Sequence, residues 1–142
     1  MNVQRLLVAE YQSDGWGCQE RWIVDPEWHQ VERAIRELDR FMRPYLWFYT
    51  DDENASDDEL PDLEIMGGKG AYAIEWFRNG TKLRYIDQSQ GKEIIVIWES
   101  DQGAEIAARN VCFDVETVVS ATKYFCEHGV LDPGLSLVEA GW

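Results

Sequence analysis

The chain has 142 residues, which suits one domain, and its 45% hydrophobic content can fill a core. Against 27 Asp and Glu it carries only 13 Lys and Arg, a formal net charge of −14. That balance argues against a broad nucleic-acid-binding role, because phosphates need cationic side chains, and equally against binding anionic membrane surfaces. It suits either plain solubility or a basic partner whose encounter it would accelerate.

In chain order, 3–11 reads as a first strand, followed by a turn-rich stretch at Ser13 to Gly17 and a short second strand at 21–24. The opening MNVQRLLVAEYQ is too short an apolar run for a signal-peptide core, and no segment approaches the length of a membrane span. Asp25 and Pro26 are fitting N-cap and first residues for a helix that stops before Arg43, since Pro44 disfavours helical geometry in the residue ahead of it. Trp28, Val31, Ala34, Ile35, Leu38 and Phe41 share one face of that helix. Tyr45 to Thr50 is aromatic and apolar enough for a strand.

Next comes DDENASDDELPD, Asp51 to Asp62, dense in carboxylates and free of Lys and Arg. Like charges repel and Asp and Asn disfavour strands, so this is a loop, either simply solvated or in contact with a basic partner. Beyond it the pattern is an antiparallel meander. Tyr72, Ile74 and Trp76 alternate with smaller or polar residues, Asn79-Gly80 marks a hairpin turn, and Leu83 and Tyr85 alternate on the return strand. The continuous apolar run Ile94 to Trp98 suits a central strand, and a last strand is expected at 105–111. A C-terminal helix has both ends marked. Asp114 caps it, Val115, Val118, Val119, Thr122, Phe125 and Cys126 share a face, Gly129 stops it and Pro133 prevents a restart.

This predicts one α+β domain over 1–142: an antiparallel meander sheet of about five or six strands with two main helices packed on it. Helices on one face would leave the other sheet face partly open. Three cysteines at irregular spacing, Cys18, Cys112 and Cys126, predict buried thiols in a reducing compartment rather than a disulfide framework, hence a cytoplasmic protein.

No catalytic constellation is specific. Cys126 and His128 begin a Cys-x-His pair that no second pair completes, and a histidine at a helix C-terminus is favoured by the dipole alone. Gly67-Gly68-Lys69-Gly70 lacks the phosphate-loop spacing and precedes a strand, so it reads as a bulge or tight turn. The acidic loop fails the calcium-loop order and is a poor scaffold for paired catalytic carboxylates. No metal, cofactor or catalytic residue is expected. Among seven Trp, Trp16 and Trp142 lie outside strong periodic segments and are the expected exposed ones. An exposed Trp beside an acidic loop suits binding a protein.

The second half of the chain resembles the Imm1 family of bacterial immunity proteins. The matching stretches are MGGKGAYAIEW (Met66 to Trp76), AARNVCFDVETVVSATKYF (Ala107 to Phe125) and EHGVLDPGLSLVE (Glu127 to Glu139), in that order and spacing. The resemblance covers about 25–139, and the acidic loop is expanded relative to the family pattern. It implies an α+β domain that neutralises a toxin of a polymorphic toxin or contact-dependent inhibition system, commonly a nuclease or nucleic-acid deaminase. Such enzymes bind phosphates in basic clefts, which carboxylates can occupy.

The expected function is therefore one-to-one binding of a cognate toxin domain by a free monomer, without nucleic-acid or membrane partners. Asp51, Asp52, Glu53, Asp57, Asp58 and Glu59 are the expected toxin-facing residues, with Trp16 as an apolar anchor. The alternative is a small hydrolase or ligand-binding protein that uses carboxylates on a sheet face.

Overall fold

A computed structural model describes residues 1–51 and 59–141. Seven strands form one antiparallel sheet: β1 (Arg5–Tyr11), β2 (Cys18–Val24), β3 (Tyr45–Tyr49), β4 (Leu63–Gly68), β5 (Ala71–Arg78), β6 (Thr81–Tyr85) and, closing the far edge, a short C-terminal strand (Leu137–Ala140). Two further strands, β7 (Ile94–Trp98) and β8 (Ala104–Ala107), pair only with each other, so the C-terminal strand is β9. The sheet order is β2-β1-β3-β4-β5-β6-β9. Two helices, α1 (Trp28–Arg36) and α2 (Val115–His128), pack on it, giving the expected α+β class.

The period-2 pattern decides which side chains meet the helices. Leu6, Val8, Leu46, Phe48, Leu63, Ile65, Ile74 and Trp76 point to one face and bury against Val31, Ala34 and Ile35 of α1 and Val118, Ala121 and Phe125 of α2. Each large side chain removed from water there stabilises the fold by about 1.5–3 kcal/mol before ordering costs. Leu46 sits opposite Ile65, which sits opposite Ile74, so the layer is continuous across three strands.

Helix α2 begins and ends where its sequence signals place it. Asp114 Oδ1 accepts the Glu116 N–H at 3.0 Å, and Gly129 at φ 75° donates its N–H to the Phe125 carbonyl at 2.8 Å. Helix α1 departs from expectation. Asp25 adopts φ 48°, which is not a capping geometry, and the cap passes to Glu27, whose N–H donates to Gln30 Oε1 at 2.9 Å. The helix also ends at Arg36, leaving Phe41 in a loop. Asp39 Oδ1 there accepts the N–H groups of Phe41 and Arg43, at 3.0 and 2.8 Å, which holds the chain in a turn that competes with helix.

The sheet has seven strands rather than five or six, and Ile94 to Trp98 is not its centre. That run lies in the separate β7–β8 ribbon, where Ile97 is buried while Ile94 and Val96 face solvent. An all-apolar run carries no periodicity to tell a two-sided core strand from a ribbon buried on one side. The expected strand at 105–111 is cut short by a 3₁₀ turn, Ala108–Asn110. The ribbon packs Ile97 against Ala71, Ala73 and Val111, covering part of the face that the helices leave open.

The Gly67-Gly68 pair is explained by close backbone approach. Gly68, at φ 138°, lies against the chain leaving α1: a Cβ there would stand 2.5 Å from the Asp39 nitrogen and from the Leu38 carbonyl group. Gly67 and Gly68 close β4, and the tight turn into β5 is Lys69-Gly70.

Candidate protein-binding surface

The acidic segment joins β3 to β4, and its two ends are fixed. The Thr50 N–H and hydroxyl both donate to Asp62 Oδ2, at 2.7 and 2.9 Å, and the Tyr49 hydroxyl donates to the Glu59 carbonyl at 2.8 Å. Asp51 and Glu59 are exposed at these ends. Asp52, Glu53, Asp57 and Asp58 lie outside the described residues, as does Trp142.

Trp16 is 70% exposed, at the tip of the β1–β2 hairpin. It is not beside the acidic segment. Arg5 at one end of β1 pairs with Tyr49, next to that segment, whereas Tyr11 at the other end pairs with Cys18, next to the tip. The six-residue offset along β1 corresponds to about 20 Å of strand rise. Sequence spacing alone could not reveal this separation, because it depends on how β1 pairs with both neighbours.

The hairpin tip meets two other segments. Asp101 N–H donates to the Gly15 carbonyl at 2.8 Å, Glu99 N–H to the Arg40 carbonyl at 2.6 Å, and Tyr11 N–H to the Met42 carbonyl at 2.6 Å. Ser100 Oγ donates to the Phe41 carbonyl at 2.6 Å and accepts the Trp98 indole N–H at 2.8 Å. Met42 is 38% exposed there, and Asp14, Glu99 and Asp101 are exposed around it.

A third feature escaped sequence reasoning. On the face away from the helices, Trp22, Leu7, Trp47, Glu64, Glu75, Arg84 and Val138 form one cross-strand row. Glu75 pairs with Arg84 at 2.9 Å and Lys82 at 3.3 Å, all three being largely covered. Trp47 donates its indole N–H to Glu64. Burial pushes the Glu64 carboxyl up to about 7. Only the register shows these charges of β5 and β6 stacked beside Glu64 in one row.

The cysteines are all free, but Cys18 is exposed, contrary to expectation, because it ends the edge strand β2. Cys126 is buried in the core while His128 stacks on Tyr124 at 4.2 Å, so the Cys-x-His pair diverges. Among the described residues, no group of three His, Cys, Asp or Glu is placed to hold a metal ion, and no helix is long and apolar enough to cross a membrane.

No protein-family model matches this chain, and no curated protein matches it.

Proposed function

We propose that this chain is a cytoplasmic immunity protein of the Imm1 kind, binding one basic toxin domain one-to-one and covering its phosphate-binding cleft. The observation that carries this reading is the carboxylate-dense segment 51–62, held at its ends by the Tyr49–Glu59 and Thr50–Asp62 contacts, in a chain of net charge −14. Carboxylates at this density offer a basic cleft the charge pattern of a nucleic-acid backbone. The motif order described above supports the same reading.

The test is co-purification with the C-terminal domain of the toxin encoded beside this gene, followed by titration calorimetry. The expected result is tight one-to-one binding that inhibits the toxin's reaction and weakens with salt. Failure of two folded proteins to bind would overturn the proposal.

The Glu64–Glu75 pair favours a second reading, a carboxylate-using hydrolase or ligand-binding protein. Two neighbouring carboxyls in different environments are what acid–base chemistry requires. Turnover of any member of a glycoside and ester substrate panel, lost in Glu75→Gln, would establish it. A flat panel would remove it.

A further inference from the structure

The hairpin tip has the makings of an arginine-binding anchor. Trp16 is 70% exposed, and tryptophan is among the residues most favoured as interface anchors. This one sits on a braced turn. Gly15 N–H donates to the Gln12 carbonyl at 2.9 Å, Gln12 N–H to the Gly17 carbonyl at 2.8 Å, and Trp16 N–H to Asp14 Oδ1 at 2.9 Å. Asp101 N–H ties the turn to the ribbon from the other side. Gly15 packs so closely on Phe41 that a Cβ there would stand 3.0 Å from the ring. A side chain presented on such a frame loses little backbone freedom on binding.

The surroundings set the chemistry of the occupant. Asp14 uses Oδ1 for the Trp16 N–H, and Asp101 accepts the Tyr11 hydroxyl through Oδ2 at 3.1 Å. Each carboxylate keeps its other oxygen, and exposed Glu99 adds a third negative charge. In the adjoining loop Arg40 Nη1 donates to the Val96 carbonyl at 3.3 Å, and Arg43 lines a separate hollow together with Glu10, Arg21, Arg33 and Glu37. An exposed indole on a turn that carries Asp14 and is bonded to Asp101 matches a guanidinium, which stacks on an aromatic face and donates to carboxylates at its edge.

We propose that the Trp16 tip anchors the basic partner by taking one of its arginine side chains against the indole, with Asp14 and Asp101 as counter-charges. This rests on the immunity reading only for the partner's identity. It assigns the slow-dissociating contact to the end of the sheet opposite the acidic segment.

The experiment uses the full chain labelled with 5-fluorotryptophan, its Trp16 resonance assigned by its loss in Trp16→Phe. Two probes are titrated: the neighbouring toxin's C-terminal domain, and tri-arginine amide with neutral tri-citrulline amide as control. Tri-arginine should shift the Trp16 resonance, tri-citrulline should not, and Asp14→Asn/Asp101→Asn should abolish the shift. Trp16→Ala should speed dissociation of the toxin complex about thirtyfold, as expected for an interface hot spot. A complex that forms by calorimetry yet leaves the Trp16 resonance in place would overturn the anchor while the immunity reading stands. No complex, with tri-arginine still shifting Trp16, would uphold the arginine site and end the immunity reading. An unmoved Trp16 resonance with both probes would overturn the proposal outright.

Discussion

Trp47 on β3 donates its indole N–H to the carboxylate of Glu64, the residue directly opposite it on β4. Burial raises Glu64 from an ordinary 4.5 to about 7; the Trp47 bond, Lys82 and Arg84 oppose the rise, and Glu75 adds to it. Between these two values the folded protein holds a proton that the unfolded chain has released. The linked stability is therefore fully present below pH 4.5 and is lost as pH rises through 7. Glu64→Gln keeps an acceptor for Trp47 and removes the titration. At pH 8 the variant should exceed the parent by about 2 kcal/mol, with no such gain at pH 4. Urea unfolding at the two pH values checks this, and an equal gain at both would refute it.

Gly68, the last residue of β4, and Gly70, in the turn that follows, should differ in tolerance. Gly68→Ala drives a Cβ into the Leu38–Asp39 backbone at a positive φ, and should cost about 3 kcal/mol or more. Gly70, at φ 85° with nothing within 4 Å of a new Cβ, should lose only about 1–2 kcal/mol to left-handed strain. Chemical denaturation of the two variants tests the contrast, and equal losses would remove the close-approach explanation.

Asp114 caps α2 through the Glu116 N–H and also accepts the Thr117 hydroxyl at 3.0 Å. Asp114→Ala should cost about 1 kcal/mol, and Asp114→Asn, which can still accept, markedly less. Thermal melts followed by circular dichroism separate the two substitutions. Indistinguishable melting temperatures would mean that the cap contributes nothing.

Neutralising Asp51, Asp52, Glu53, Asp57, Asp58 and Glu59 together should slow association with the toxin domain about tenfold or more at low salt and flatten its salt dependence. Dissociation should change far less. Stopped-flow association rates are the readout, and unchanged rates would take the segment out of the mechanism.

What the sequence made legible was local. Asp114 and Gly129 mark the two ends of α2, and Asn79-Gly80, at φ 51° and 77°, forms the expected tight hairpin turn. Non-local pairing was not legible. Nothing in Leu137–Ala140 announces a sheet edge, and Ile94–Trp98 leaves the main sheet although it is the most apolar run among the strands. The exposure of Trp16 followed from its place outside any periodic segment, but its distance from Asp51 and Glu59 did not. The Glu64–Glu75–Arg84 row stayed hidden because alternation reports which side chains share a face and says nothing of what covers them.

The chain's first residues are structural parts. Asn2 donates from both its backbone N–H and its side-chain amide to the Cys126 carbonyl, at 2.8 and 3.2 Å, and Val3 is buried. A fusion or biotin tag on Met1 thus emerges at the Arg5–Tyr49 end of the sheet, beside the acidic segment. Tethering the protein to a sensor surface by that tag would crowd the carboxylates and leave Trp16 pointing into the flow. Attachment through exposed Cys18, beside the hairpin, would do the reverse. Comparing the two orientations would map a partner's approach without altering a single contact residue.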